Sequence, residues 1–218
     1  MNARREDTQE VAADRPAEVI RRHGNKARKG LWLVGLICLH SFTTQAQVSD
    51  MLIDNFTNSD LVSNLGTRWR GVSDQVMGGI SEASVTHDII DDLPCLRLRG
   101  DVRLENNGGF IQASLDLAPA GENIDASAYT GLRLTVRGNG EQYSVHLRTP
   151  DNVRPWQSYR AQFTAGPDWA TIDLPFTSFA PYRLDAPLDT TRIKRIGLVG
   201  IGRVFKADLL VSALGFYR

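Results

Sequence analysis

The stretch Leu132-Arg-Leu-Thr-Val-Arg-Gly-Asn-Gly-Glu-Gln-Tyr-Ser-Val-His-Leu-Arg148 decides the fold. Leu132, Leu134 and Val136 alternate with Arg133, Thr135 and Arg137, and Tyr143, Val145 and Leu147 alternate with Ser144, His146 and Arg148. Successive side chains of an extended backbone point to opposite sides, so a period of two marks a strand with one buried face. Gly138-Asn-Gly140 supplies residues that tolerate positive φ, and the spacing predicts two strands joined by a tight hairpin turn. The rhythm returns in Leu96-Arg-Leu-Arg99, Tyr159-Arg-Ala-Gln-Phe163 and Ala170-Thr-Ile-Asp-Leu174. In Ile196-Gly-Leu-Val-Gly-Ile201 and Leu209-Leu-Val-Ser-Ala-Leu214 both faces are apolar, which places those strands at the centre of a sheet. Roughly eight or nine strands result, with turn residues about every ten positions and no long amphipathic helix, so the fold class is all-β, a sandwich or barrel. Pro175, Pro181 and Pro187 turn the stretch between Leu174 and Ile193 into a long surface connection.

A chain of 218 residues has room for one good-sized core. Its first part is read as a leader and kept apart from the fold. Arg21, Arg22, Lys26, Arg28 and Lys29 precede the apolar run Leu31-Trp-Leu-Val-Gly-Leu-Ile-Cys-Leu39, which leads into Thr43-Thr-Gln-Ala46. Such a run is far short of the roughly 20 residues that span a bilayer, and it matches the core of a signal peptide. Cleavage is expected after Ala46, giving a leader over 1–46 and one domain over 47–218, exported to the periplasm or cell envelope. Two alternatives stay open: an uncleaved anchor in the inner membrane, and a start codon placed too early. Ile37 before Cys38 is too large for a lipidation site, and the acids Glu6, Asp7, Glu10, Asp14 and Glu18 argue against a mitochondrial presequence.

Eight of the 25 basic and five of the 25 acidic residues lie at or before Ala46, leaving 17 against 20 in the body. A mildly acidic body has no field to gather phosphate backbones, so nucleic acid is an unsuitable partner. Nucleophile elbows, zinc-ligand spacings, phosphate-binding loops and nicotinamide fingerprints are all missing from the sequence. His87 and His146 are far apart and have no cysteine partner, and Cys95 reads as a small buried apolar residue. The carboxylates read as a solvated surface. Neither a catalytic site nor a cofactor is expected, and no metal is assigned, with Asp54 or Asp208 the candidates should a structural calcium exist.

Two segments break the strand rhythm: Trp69-Arg-Gly-Val-Ser-Asp-Gln-Val-Met-Gly-Gly-Ile-Ser81 and Leu104-Glu-Asn-Asn-Gly-Gly-Phe-Ile-Gln-Ala113. A Gly-Gly pair within ordered backbone implies positive φ or close approach by another chain or a ligand. The plainer reading is two bulges or turns in which Asp74, Ser81, Asn106 and Asn107 satisfy nearby backbone donors. Trp69, Asp74, Met77, Gly78, Gly79 and Ser81, followed by Asn106, Asn107, Gly108, Gly109 and Phe110, also resemble the signature of the complex I intermediate-associated protein 30 family. Tyr143, Leu147, Arg148 and Thr149, then Trp156, Tyr159 and Trp169, and finally Leu174-Pro-Phe-Thr-Ser-Phe179 continue the resemblance, which spans roughly Leu52 to Tyr217. It implies a galactose-binding-like jelly roll, similar to carbohydrate-binding modules, and for mitochondrial members a chaperone-like role in building respiratory complex I. The leader departs from that pattern, since an exported protein would meet only the parts of complex I exposed beyond the membrane.

If the strands around Val136, Val145 and Ala161 are neighbours, their polar phase gathers Arg133, Arg137, His146, Arg148, Arg160 and Gln162 on one face, with Trp156 in a loop beside it. Arginine near an exposed aromatic can stack on a sugar or grip a carboxylate, and both types are enriched at interfaces. Arg137, His146, Arg148, Trp156 and Arg160 are the candidate binding residues, with Arg148 read as a free surface side chain. The plainer reading is a solvated face with Trp156 tucked into its loop. The leading expectation is a non-catalytic binding module of the assembly-factor type, working through protein contacts. A lectin-like carbohydrate-binding module of the envelope is the alternative, and a hydrolase using surface carboxylates comes third.

Overall fold

The computed structural model describes residues 49–218; the leader and its cleavage point lie outside the described residues. The described residues form twelve strands: β1 Met51–Asp54, β2 Arg70–Ser73, β3 Glu82–Ile90, β4 Leu93–Val102, β5 Phe110–Asp116, β6 Gly131–Gly138, β7 Gln142–Arg148, β8 Ser158–Thr164, β9 Ala170–Pro175, β10 Ala180–Tyr182, β11 Arg195–Ile201 and β12 Phe205–Tyr217. Among the described residues the only helices are short 3₁₀ turns, and none is long and apolar enough to cross a membrane.

The strands form two antiparallel sheets. The first runs β3-β4-β12-β6-β9, with β1 also paired to β12, and the second runs β10-β8-β7-β11-β5-β2. The two runs with apolar residues on both faces occupy central places, β12 between β4 and β6 and β11 between β7 and β5. Between the sheets Leu96, Leu132, Leu134, Leu209 and Phe216 meet Ile111, Tyr143, Val145, Tyr159 and Leu198, all buried in one hydrophobic cluster. Removing that apolar surface from water is the main force holding the sandwich closed. Strand β12 keeps its inward phase by a register shift between Val211 and Ala213, a bulge that passes the buried positions from Leu209 and Val211 to Leu214 and Phe216.

Three sequence expectations are corrected. The Asn139-Gly140 turn is not a hairpin: β6 and β7 lie in different sheets, and the turn carries the chain across the sandwich. Its fastening explains why, since Asn139 donates to the Lys206 carbonyl at 2.7 Å and accepts from the Tyr143 hydroxyl at 2.8 Å, while the Gly140 N–H bonds Ala165 rather than a facing strand. The strand total exceeds the expected eight or nine, because β1, β2 and β10 are too short to show a period. The proline-marked connection after Leu174 contains β10, an edge strand with Pro181 opposite Tyr159, where a missing N–H is tolerated.

Candidate functional site

The two Gly-Gly segments meet around one carboxylate. Asp74 begins a 3₁₀ turn, Asp74–Met77, closed by Gly78 in the left-handed region at φ 92°. Its side chain is fully buried. It accepts from the Ser81 N–H at 2.9 Å, the Ser81 hydroxyl at 2.5 Å, the Gly109 N–H at 2.5 Å and the Phe110 N–H at 3.3 Å. Burial pushes the carboxyl's pKa up, but these four bonds outweigh it and hold the pKa below the ordinary aspartate value. A Cβ on Gly79 would lie 2.3 Å from the Asp74 carboxyl carbon, and one on Gly108 would lie 2.4 Å from a carboxylate oxygen. The glycines are therefore small chiefly to let two loops close over an anion. Asp74 satisfies the Ser81 N–H within its own segment and the Gly109 and Phe110 N–H groups of the other, and the Ser81 hydroxyl accepts from the Arg103 N–H at 2.9 Å; Asn106 instead donates its side-chain amide to the Gly78 carbonyl at 3.2 Å.

This knot holds Met77, Asn107, Gly108, Gly109 and Phe110 along one edge of a groove of about 540 Å³ on the outer face of the second sheet. Its floor comes from the outward phase of β5, β7, β8 and β11: Gln112 and Ser114, His146 and Arg148, Ser158 and Arg160, Gly197 and Val199. Strand register puts His146 directly opposite Arg160 and Gly197. Trp156, 49% exposed, and Tyr182 of β10 complete the far wall.

Each polar group on the floor has a distinct state. His146 is only 8% exposed, and its Nε2 has no partner among the described residues. Burial, then the nearby Arg160 and Arg148, lower its pKa to about 3, so the ring is neutral. The Arg148 guanidinium donates to the carbonyls of Pro155 at 3.1 Å, Asn152 at 3.3 Å and Arg154 at 2.9 Å. This corrects the reading of Arg148 as a free surface side chain: it clamps the loop that presents Trp156. Gln157 ties the same loop to the Arg183 carbonyl at 2.8 Å. Arg160 bonds the Ser158 hydroxyl through Nε and stacks on Tyr182, 3.5 Å from the ring centroid, with no carboxylate partner among the described residues.

Arg148→Ala should lower stability by about 1–2 kcal/mol, because three carbonyls of the Trp156 loop, that of buried Asn152 among them, lose a charged donor. Arg137→Ala, losing an exposed ion pair with Asp91, should change it by no more than about 0.5 kcal/mol. Thermal melts of the two variants check the contrast.

The structure thus gathers His146, Arg148, Trp156 and Arg160, with Gln162 in the same outward phase of β8, but separates Arg137 and Arg133 from them. These two sit on β6 of the other sheet, where Arg137 pairs with Asp91 and Arg133 with Asp173 and Asp50. The misplacement follows from the misread turn. Trp69 is buried and donates its indole N–H to Asp54 at 2.7 Å, so its part is structural. Asp54 also accepts from the Phe56 N–H at 2.8 Å, and Asp208 is held by Arg97 at 2.7 and 2.8 Å, so both aspartates have partners other than a metal. Cys95 is buried, and the apolar surroundings push its thiol up to about 11.

Sequence reasoning missed Gln112, Tyr182, Arg183 and Arg195. Gln112 was legible in the alternation of Ile111, Ala113 and Leu115. Tyr182 and Arg183 gave no signal within a proline-marked connection. Among the described residues no cluster of three or more His, Cys, Asp or Glu side chains could hold a metal.

The family model of "Complex I intermediate-associated protein 30" matches residues 55–208. A comparison with curated proteins finds no match. Among solved structures, the family 11 carbohydrate-binding module of a cellulosomal cellulase of Clostridium thermocellum is similar, with a TM-score of 0.59 at 17% identity over 78% of this chain and 95% of that one. A family 11 module from the same organism in complex with a β-1,3-1,4-mixed-linked tetrasaccharide gives 0.58 at 16% over 78% and 96%. The family 30 module of another cellulosomal cellulase from that organism gives 0.56 at 17% over 78% and 97%. At these identities the likeness is one of fold.

Proposed function

The chain belongs to the Complex I intermediate-associated protein 30 family, and from the geometry of its groove we propose that it is a non-catalytic binding module that holds a glycan on its second sheet. The observation that carries this reading is the make-up of the groove. Half-exposed Trp156 stands beside a floor on which neutral polar groups from Gln112, Ser114, His146 and Ser158 lie among Arg148 and Arg160, and among the described residues no aspartate or glutamate lines it. An aromatic face covers the apolar side of a sugar ring while neutral donors and acceptors meet its hydroxyls. Glycoside hydrolysis would need two carboxyl groups flanking the bond, about 5 to 10 Å apart, and this groove offers none. The solved relative with a bound tetrasaccharide supports the same reading through its shared fold.

A second reading is favoured by the family match itself. The family is described by association with an intermediate of complex I, and a member acting in that way would be an assembly factor or chaperone that binds protein subunits. In either case the leader argues for action in the periplasm or cell envelope, a proposal tested by fusing residues 1–60 to a reporter active only outside the cytoplasm. Affinity electrophoresis of the full chain through gels carrying envelope polysaccharide tests the main proposal. The wild type should be retarded, and Trp156→Ala should bind at least about tenfold more weakly. A wild type that runs freely yet co-purifies with membrane-complex subunits, losing them on Trp156→Ala, would move the reading to the protein ligand. Retention indifferent to Trp156→Ala would refute the groove.

A further inference from the structure

The groove is charged in one sense only. Arg148, Arg160, Arg183 and Arg195 line it, without a single aspartate or glutamate among the described residues, in a chain whose formal net charge is zero. Arg195 is neutralised from the margin by Asp116, which it meets at 2.6 Å. Arg148 spends its terminal nitrogens on the carbonyls of the Trp156 loop. Arg160 is different: only its Nε is bonded, to Ser158, and the guanidinium plane lies on Tyr182. Burial disfavours its charge, Tyr182 opposes that in part, and the neighbouring Arg183 adds to it. A half-buried cation without a counter-ion is costly, and its unbonded terminal nitrogens form a fork matched to a carboxylate. Directly opposite in register stands His146, over nine-tenths buried, with a ring nitrogen that no protein group meets.

We propose that the groove binds an acidic polysaccharide of the uronic acid type, with Arg160 facing a sugar carboxylate and the unpartnered Nε2 of His146 meeting a hydroxyl of the chain. This deepens the glycan reading given above and rests on it. A neutral glucan would leave the Arg160 charge uncompensated. An acidic peptide would satisfy Arg160, but its backbone would find no partners on the floor, because β11 is already hydrogen-bonded on both sides, by β7 and β5. Sugar hydroxyls, each a donor and an acceptor, suit the neutral polar groups of the floor better.

Isothermal titration of the full chain with polygalacturonate, alginate, neutral β-1,3-1,4-glucan and poly-L-glutamate tests the proposal. A polyuronate should bind best, weakening as salt is raised, as ion pairs in a solvated groove do. Arg160→Gln should weaken that binding at least about tenfold, the usual scale for a buried charged anchor. Arg160→Lys, which keeps the charge but not the fork, should retain part of it, and Arg137→Gln on the other sheet should leave it unchanged. Thermal melts establish that each variant is folded. Glucan bound as tightly as the polyuronates, with Arg160→Gln silent and Trp156→Ala damaging, would overturn the acidic ligand while sparing the groove. Poly-L-glutamate bound through Arg160 with no polyuronate binding would overturn the glycan in favour of an acidic peptide. Failure of all four ligands to bind would overturn the proposal.

Discussion

Gly79→Val is expected to destabilise the protein by about 3–5 kcal/mol, a large part of the roughly 5–15 kcal/mol that holds a domain folded. The cause is the Asp74 knot. A Cβ at Gly79 would stand 2.3 Å from the carboxyl carbon of Asp74, and that side chain is fully buried. Asp74 cannot swing aside without dropping bonds to Ser81, Gly109 and Phe110. Hydrogen bonds to a charged group contribute about 1.5–3 kcal/mol each, so losing two of them sets the scale of the effect. Gly166→Ala is the control: its backbone is not left-handed, nothing lies within 4 Å of the added carbon, and a change within about 0.5 kcal/mol is expected. Denaturant melts of both variants decide the matter. A Gly79→Val protein as stable as Gly166→Ala would mean that the two loops do not close over Asp74 as described.

The second large effect is one of pH. His146 has a folded pKa of about 3, against an ordinary value near 6.5 in the unfolded chain. Between those values the unfolded chain holds a proton that the folded protein does not, so acid favours unfolding throughout that window. The contribution is therefore intact above about pH 6.5 and shrinks as pH falls toward 3. From pH 7 to pH 5 the wild type should lose about 2 kcal/mol relative to His146→Gln, whose side chain is neutral at every pH. Melts of the two proteins at both pH values measure the difference directly, and parallel losses would show that His146 is reached by water or by a counter-ion.

The sandwich was legible because its central strands carry strong patterns. Leu132 to Val136, Tyr143 to Leu147 and the doubly apolar runs at Ile196 and Leu209 each lie where alternation or continuous apolar character puts them. What alternation cannot encode is which strands pair. Asn139-Gly140 has the local chemistry of a hairpin turn, yet side-chain bonds to Lys206 and Tyr143 fasten it as a bridge between sheets. That one topological error carried Arg133 and Arg137 to the wrong face. Within a strand the polar phase is plain from the residues, so His146 and Arg148 of β7 and Arg160 of β8 share a groove once the pairing of those strands is known. The Gly78-Gly79 and Gly108-Gly109 pairs stand out in the sequence, and Asp74 reads there as a local turn residue; that one carboxylate joins both segments is visible only in three dimensions.

Ligand binding in the groove of the second sheet is tested most directly by hydrogen exchange, whatever the ligand proves to be. The isolated protein would be exchanged with and without a soluble extract of envelope polysaccharide and protein, and protection read along the chain. Protection confined to the segments around Asn107 to Gln112, Pro155 to Arg160 and Tyr182 to Arg183 is the predicted result, since these belong to the rim and floor of the groove. Protection concentrated instead on β3, β4 and β6 around Arg137, on the opposite side of the sandwich, would contradict it.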